Sequence, residues 1–190
     1  ASIMAAFDKS RRFFASAFTA LLLAGCVAAP TVPIASLSYQ SDSTQRQRNL
    51  LVLLRGIGDD NTVFDKEGII DEIHNRQLPF DVIAPDTHFG YYQSKTIEDR
   101  LKHDIIDPAR RQGYEQIWLA GFSMGGLGSL LYVRRYPDDI DGVLLSSPFL
   151  GRQSIHREIH RAGGIAAWSA TSDDPQDWER MLWSWIKNHD

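Results

Sequence analysis

Cysteine is nearly absent. Cys26 is the only one in the chain, so neither an intrachain disulfide framework nor a cysteine-rich zinc site can form. No block of Lys and Arg occurs, and 20 basic residues are outnumbered by 24 acidic ones, for a formal charge of -4. The electrostatic footprint of a nucleic-acid binder is therefore missing. No apolar run reaches the roughly 20 residues that a membrane-spanning helix needs. Neither G-x-G-x-x-G nor G-x-x-x-x-G-K occurs, which removes the usual phosphate-cradling loops. What remains is a chain of 190 residues, 43% hydrophobic and 23% charged. That balance can bury one core and is too short for two ordinary domains.

The N-terminal quarter has a different character. Lys9, Arg11 and Arg12 form a short basic region, followed by the apolar run from Phe13 to Ala24. That run is too short to cross a bilayer and has the order of an export signal. It ends in Leu23-Ala24-Gly25-Cys26, which resembles the lipobox of bacterial lipoproteins. The resemblance implies cleavage before Cys26 and a lipid on its thiol, anchoring the mature protein to a membrane surface without spanning it. Val27 is not acidic, and for a Gram-negative lipoprotein the resemblance then implies the outer membrane. The expected location is the cell envelope. We expect residues 1–25 to be the signal peptide and residues 26–48, with Pro30, Pro33 and a polar stretch, to be a solvated tether.

From Asn49 onward short apolar runs alternate with helical periods. Asn49–Leu54 is continuous and apolar, as in a parallel strand covered on both faces. Val63–Gln77 has helical spacing after good N-cap chemistry at Asp59-Asp60-Asn61. Phe80–Ala84 is a second strand, Ser94–Gln112 a helix ended or kinked at Pro108, and Gln116–Ala120 a third strand. Met124–Tyr136 is a helix stopped by Pro137, and Gly142–Leu145 is a fourth strand. Beyond Phe149 two helices follow, with no fifth strand. The expected fold is α/β, a mostly parallel sheet with helices on both faces.

The chemistry concentrates between the third strand and its helix, at Gly121-Phe122-Ser123-Met124-Gly125. A G-x-S-x-G match arises by chance in about 6% of chains this long, so its placement carries the weight. A nucleophile elbow needs a very sharp strand-to-helix turn, and side chains two before and two after the serine would clash there. Gly121 and Gly125 leave both gaps. Ser123 is the candidate nucleophile and the Met124 N–H one oxyanion donor. The second donor comes from the loop after the first strand, Arg55-Gly56-Ile57-Gly58. Many α/β-hydrolases carry His-Gly-x-Gly there, and residues 49–150 resemble that superfamily. The resemblance implies a serine esterase or lipase-like enzyme with Ile57 as the second donor. Arg55 replaces the histidine, either as an anion contact or in an ion pair with an acid such as Asp59.

Around this centre His88, Tyr91 and Tyr92 follow the second strand on the same sheet edge, where open α/β sheets bind ligands. The two tyrosines either line a pocket or bury a loop. His156 and His160 are four apart but fit neither H-E-x-x-H nor H-x-x-E-H, so we expect no metal, and the chemistry calls for no organic cofactor. In this superfamily the triad acid and histidine follow the serine, after later strands. We therefore expect an incomplete domain over residues 49–190, with acid and base encoded further on. His189 and Asp190 would lie at the wrong edge of the sheet, while His88 is on the correct one. The expected function is hydrolysis of an ester or related acyl bond by a membrane-anchored enzyme. The alternative is a hydrolase-like lipoprotein that has lost catalysis and serves as a binding or envelope-structure protein.

Overall fold

The computed structural model describes residues 28–41, 47–171 and 176–189. Cys26, the export segment and Asp190 lie outside the described residues. Among the described residues no helix is long and apolar enough to cross a membrane.

Five strands form one sheet in the order β1-β3-β2-β4-β5. These are β1 (Ser36–Tyr39), β2 (Asn49–Leu54), β3 (Asp81–Pro85), β4 (Gln116–Phe122) and β5 (Gly142–Ser146). β3, β2, β4 and β5 run parallel, with Leu51 opposite both Val82 and Trp118. β1 closes the sheet antiparallel to β3. The class is α/β, and β1 is the addition to what the sequence suggests. The expected solvated tether over 26–48 does not hold at this point. Ile34 is buried in the core, and Leu37 and Tyr39 pack against the sheet.

β2 shows why its sequence is uninterrupted by polar residues. Successive side chains alternate between faces. Leu50, Val52 and Leu54 enter one core while Leu51 and Leu53 enter the other. The first face is covered by α3 (Phe89–Gln93) and by a helical run made of α4 (Ile97–Arg100), six residues with π-helical bonding (Leu101–Ile106) and α5 (Asp107–Gln112). Tyr91, Ile97, Leu101, Ile105 and Ala109 supply its apolar side. The opposite face is covered by α1 (Val63–Lys66) and α2 (Ile69–Asn75), through Phe64, Ile70 and Ile73.

Two expected helices differ in detail, and one helix was not expected. The one over 63–77 is split at Gly68, whose left-handed φ of 71° ends the first turn. The one over 94–112 is not ended by Pro108. The wide π turns stand just where the proline ring would meet the carbonyl of residue 104, so the run bypasses the clash. α3 forms where the sequence pattern marks no element.

After β4 comes α6 (Met124–Arg135), and after β5 come α7 (Gln153–Arg161) and α8 (Trp178–Asn188). α7 and α8 share a small core of Ile155, Ile159 and Trp168. Glu158 ties them together. It accepts from the Trp168 indole at 2.9 Å and pairs with Arg180, which also holds Asp177. These hydrogen bonds hold the Glu158 and Asp177 carboxyls below the ordinary carboxylate range.

Candidate active site

β4 ends at Phe122, α6 begins at Met124, and Ser123 alone makes the turn. It does so at φ 50°, ψ -111°, a conformation that costs a non-glycine residue about 1–3 kcal/mol. The surroundings enforce it. Ser123 N–H donates to Ser146 O at 3.1 Å, and its carbonyl accepts from Phe149 N–H at 2.8 Å and Gly126 N–H at 3.0 Å. Its backbone is thus fastened to the end of β5 and to the start of α6, while the residue itself stays exposed.

Two glycines make the turn fit. A Cβ on Gly121 would stand 2.5 Å from Gly125 O and 2.6 Å from the Gly126 Cα. A Cβ on Gly125 would drive into the Leu54 carbonyl and stand 2.7 Å from Arg55 O. All of these neighbours are backbone, so α6 can approach β2 and β4 this closely only without side chains at both positions.

The same approach brings the loop after β2 to the serine. A Cβ on Gly56 would lie 3.5 Å from the Ser123 Cβ. Ile57 follows, 59% exposed. Among the described residues neither the Ile57 nor the Met124 backbone N–H donates to another protein group. The residues on either side of that approach, Ile57 after Gly56 and Met124 after Ser123, thus each keep a free backbone donor next to the exposed serine's turn.

Arg55 is not the exposed residue that a partnership with Asp59 would give. It is 5% exposed, its Nε donates to Asp86 Oδ1 at 2.7 Å and its Nη1 to Gly56 O at 3.1 Å. One guanidinium thus ties the loop after β2 to the end of β3 and holds the carbonyl of Gly56. Asp86 is 31 residues away in sequence, and no local signal points to it.

His88 caps α3, with Nδ1 accepting from Gly90 N–H at 3.1 Å and its ring 4.4 Å from that of Tyr91. Burial, helped by the Arg55 charge and opposed by Asp86, lowers its pKa. It makes no hydrogen bond to Ser123. Tyr91 does not line a pocket. It is 1% exposed, packed in the core, and its hydroxyl accepts from Thr31 N–H at 3.0 Å. Tyr92, the next residue, does line one. With Phe89, Met124, Leu127, Phe149 and Trp178 it borders a cleft of about 810 Å³ beside the elbow. α8 forms the far wall, a contribution the sequence alone gives no sign of. His156 stacks edge-on against Trp183, and His189 Nδ1 lies 2.9 Å from Trp185 O. Among the described residues no histidine or carboxylate hydrogen-bonds Ser123 Oγ.

The mostly parallel sheet with helices on both faces recurs in solved structures. The mature lipase BlEst2 of Bacillus licheniformis superposes with a TM-score of 0.54 at 11% identity, over 80% of this chain and 64% of that one. The fold is that of the α/β hydrolases. The family model for serine aminopeptidases of type S33 matches residues 94–181. The monoacylglycerol lipase of Paleococcus ferrophilus is 21% identical, with a TM-score of 0.47 over 82% of this chain and 62% of that chain. A carboxyl esterase of Bacillus coagulans is 17% identical, with a TM-score of 0.42 over 60% of this chain and 44% of the esterase. The chain thus spans between about two fifths and two thirds of the length of these α/β hydrolases. No curated protein matches its sequence.

Proposed function

We propose that the chain carries the nucleophile and oxyanion hole of a serine hydrolase that cleaves a carboxylic ester or a related acyl bond. The observation that carries this is Ser123, held exposed at φ 50° on the strand-to-helix turn, with the Met124 N–H that follows it free of any protein acceptor among the described residues. In the reaction Oγ adds to the acyl carbon as its proton passes to a general base. The carbonyl oxygen becomes an oxyanion and accepts hydrogen bonds from Met124 and Ile57 N–H, each such donor contributing about 3 kcal/mol to the barrier drop. Collapse expels the alcohol or amine, which takes up the proton, and water then hydrolyses the acyl-enzyme by the same steps. The base is a group not in contact with Ser123 among the described residues, so the test uses the full gene product. Turnover of p-nitrophenyl butyrate should fall by about 10⁶-fold in Ser123→Ala. Turnover within tenfold of wild type would overturn the proposal.

A second reading, a hydrolase-like protein that only binds, draws support from the absence of any base on Ser123 Oγ among the described residues. Wild-type and Ser123→Ala proteins that are equally inert would favour it.

We further propose that the protein is held at the cell envelope by lipid on Cys26. The basic-apolar order and the Leu23-Ala24-Gly25-Cys26 sequence support this. Expressed in a bacterium, the protein should partition into detergent and Cys26→Ser should not. Equal partitioning would contradict it.

A further inference from the structure

The cleft beside the elbow has a direction. Met124, Leu127, Leu131, Arg134 and Arg135 all border it. At 100° per residue these positions share one side of α6, and the ten steps from Met124 to Arg134 cover roughly 15 Å. The trough therefore starts next to Ser123 and ends at the last turn of α6. Its middle is apolar, walled by Leu127 and Leu131 on one side and by Trp178 and Met181 of α8 on the other.

Its border is charged and unevenly satisfied, with Arg134 and Arg135 in the last turn of α6. Four cations border the cleft, Lys95, Arg134, Arg135 and Arg152, against one anion, Glu98, in a protein whose overall charge is -4. Three of the cations are engaged. Arg135 pairs with Asp99 at 3.0 Å, Arg152 with Glu179 at 2.6 Å, and Lys95 with the Gln176 amide oxygen. Arg134 is different: its Nε–H is buried and donates to no protein group. Glu98 forms no ion pair with it within 4 Å, and burial raises the Glu98 pKa, against the pull of Arg135 and Arg134. A desolvated guanidinium edge with no acceptor is costly in a folded protein, and its planar fork suits a carboxylate or phosphate.

We infer that the trough binds an amphipathic anion, an acyl compound with an extended apolar body whose far end carries a carboxylate or phosphate seated on Arg134. As a statement about substrate, this rests on Ser123 being the nucleophile at the other end. Binding can be measured without turnover, which separates the two claims.

The experiment is calorimetric titration of the full gene product, in wild-type and Ser123→Ala forms, with decanoate, decyl phosphate, 1-decanol and inorganic phosphate below micellar concentration. Decanoate or decyl phosphate should bind at least tenfold more tightly than decanol, and inorganic phosphate should bind at least tenfold more weakly than either. Whichever of the two anions binds more tightly identifies the terminal group. Arg134→Leu should bring the anions within twofold of decanol without changing decanol binding, and Arg134→Lys should keep part of the preference. The inference is overturned by equal binding of decanol and both anions. It is equally overturned by an anion preference that survives Arg134→Leu, or by inorganic phosphate binding as well as decyl phosphate. Anion binding that behaves as expected while Ser123→Ala retains turnover would leave this inference standing and remove the nucleophile instead.

Discussion

Adding one methyl group at Gly125 tests whether the elbow is built as described. In Gly125→Ala the new Cβ meets Leu54 O, Leu54 C and, at 2.7 Å, Arg55 O. None of these atoms can swing aside as a side-chain end could. Either α6 lifts off the sheet or the Leu54–Gly56 loop retreats. Overpacking costs about 1–3 kcal/mol, and a contact with rigid backbone belongs at the upper end, about 3 kcal/mol. For a domain of this size that is a fall in Tm of about 6–12 °C. Displacing the loop also moves Ile57 N–H relative to Ser123, and a misplacement of about 1 Å can cost 100-fold in rate. Gly113→Ala is the control. Its φ is 93° and its Cβ would meet nothing within 4 Å, so only backbone strain remains, about 1 kcal/mol. Urea unfolding and p-nitrophenyl butyrate turnover of both variants give the comparison. Equal losses in the two, or full activity in Gly125→Ala, would refute the packing argument.

Three further outcomes follow from the same structure. Arg55→Leu should cost about 2 kcal/mol and lower kcat, because it leaves Asp86 without its cation and frees the Gly56 carbonyl; restoration of stability in the Arg55→Leu, Asp86→Leu pair, measured by urea unfolding, would show that the loss lies in the abandoned charge. Glu158 and Asp177 have lowered pKa values, so their contribution is full above the unfolded carboxylate range and is lost as pH falls through the folded values. Tryptophan emission from Trp168 and from α8 should then shift below about pH 4, and Glu158→Gln should cost about 2 kcal/mol at neutral pH and weaken that acid transition. On β5, Leu144 and Leu145 are 53% and 42% exposed at the sheet edge, and Leu144→Lys should reduce self-association in sedimentation experiments; unchanged association would show that the edge is not what drives it.

The parts of the fold that sequence makes legible are those where local pattern and tertiary role coincide. Asn49–Leu54 is apolar throughout because both faces of β2 are buried, and the run says so directly. Gly121 and Gly125 flank the serine because backbone passes within van der Waals distance at both. β1 escapes notice because its inward signal is only Leu37 and Tyr39 among polar neighbours, and its place is fixed by pairing with β3. α3 escapes because Phe89-Gly90-Tyr91-Tyr92 has poor helix propensity and is held instead by the His88 cap and by packing. Once α3 is a helix, Tyr91 and Tyr92 point about 100° apart, and one enters the core while the other meets the cleft. Arg55 shows the limit of local reasoning: Asp59 is near in sequence, but Asp86 is the residue that the parallel pairing of β2 and β3 sets beside it.

Site-mapped labelling tests the central claim most directly. The full gene product, treated with a fluorophosphonate and digested, should carry the adduct on the peptide containing Ser123, with no adduct in Ser123→Ala. An adduct on another serine, or a correctly folded wild-type protein that takes none, would contradict the assignment of Ser123 as the nucleophile.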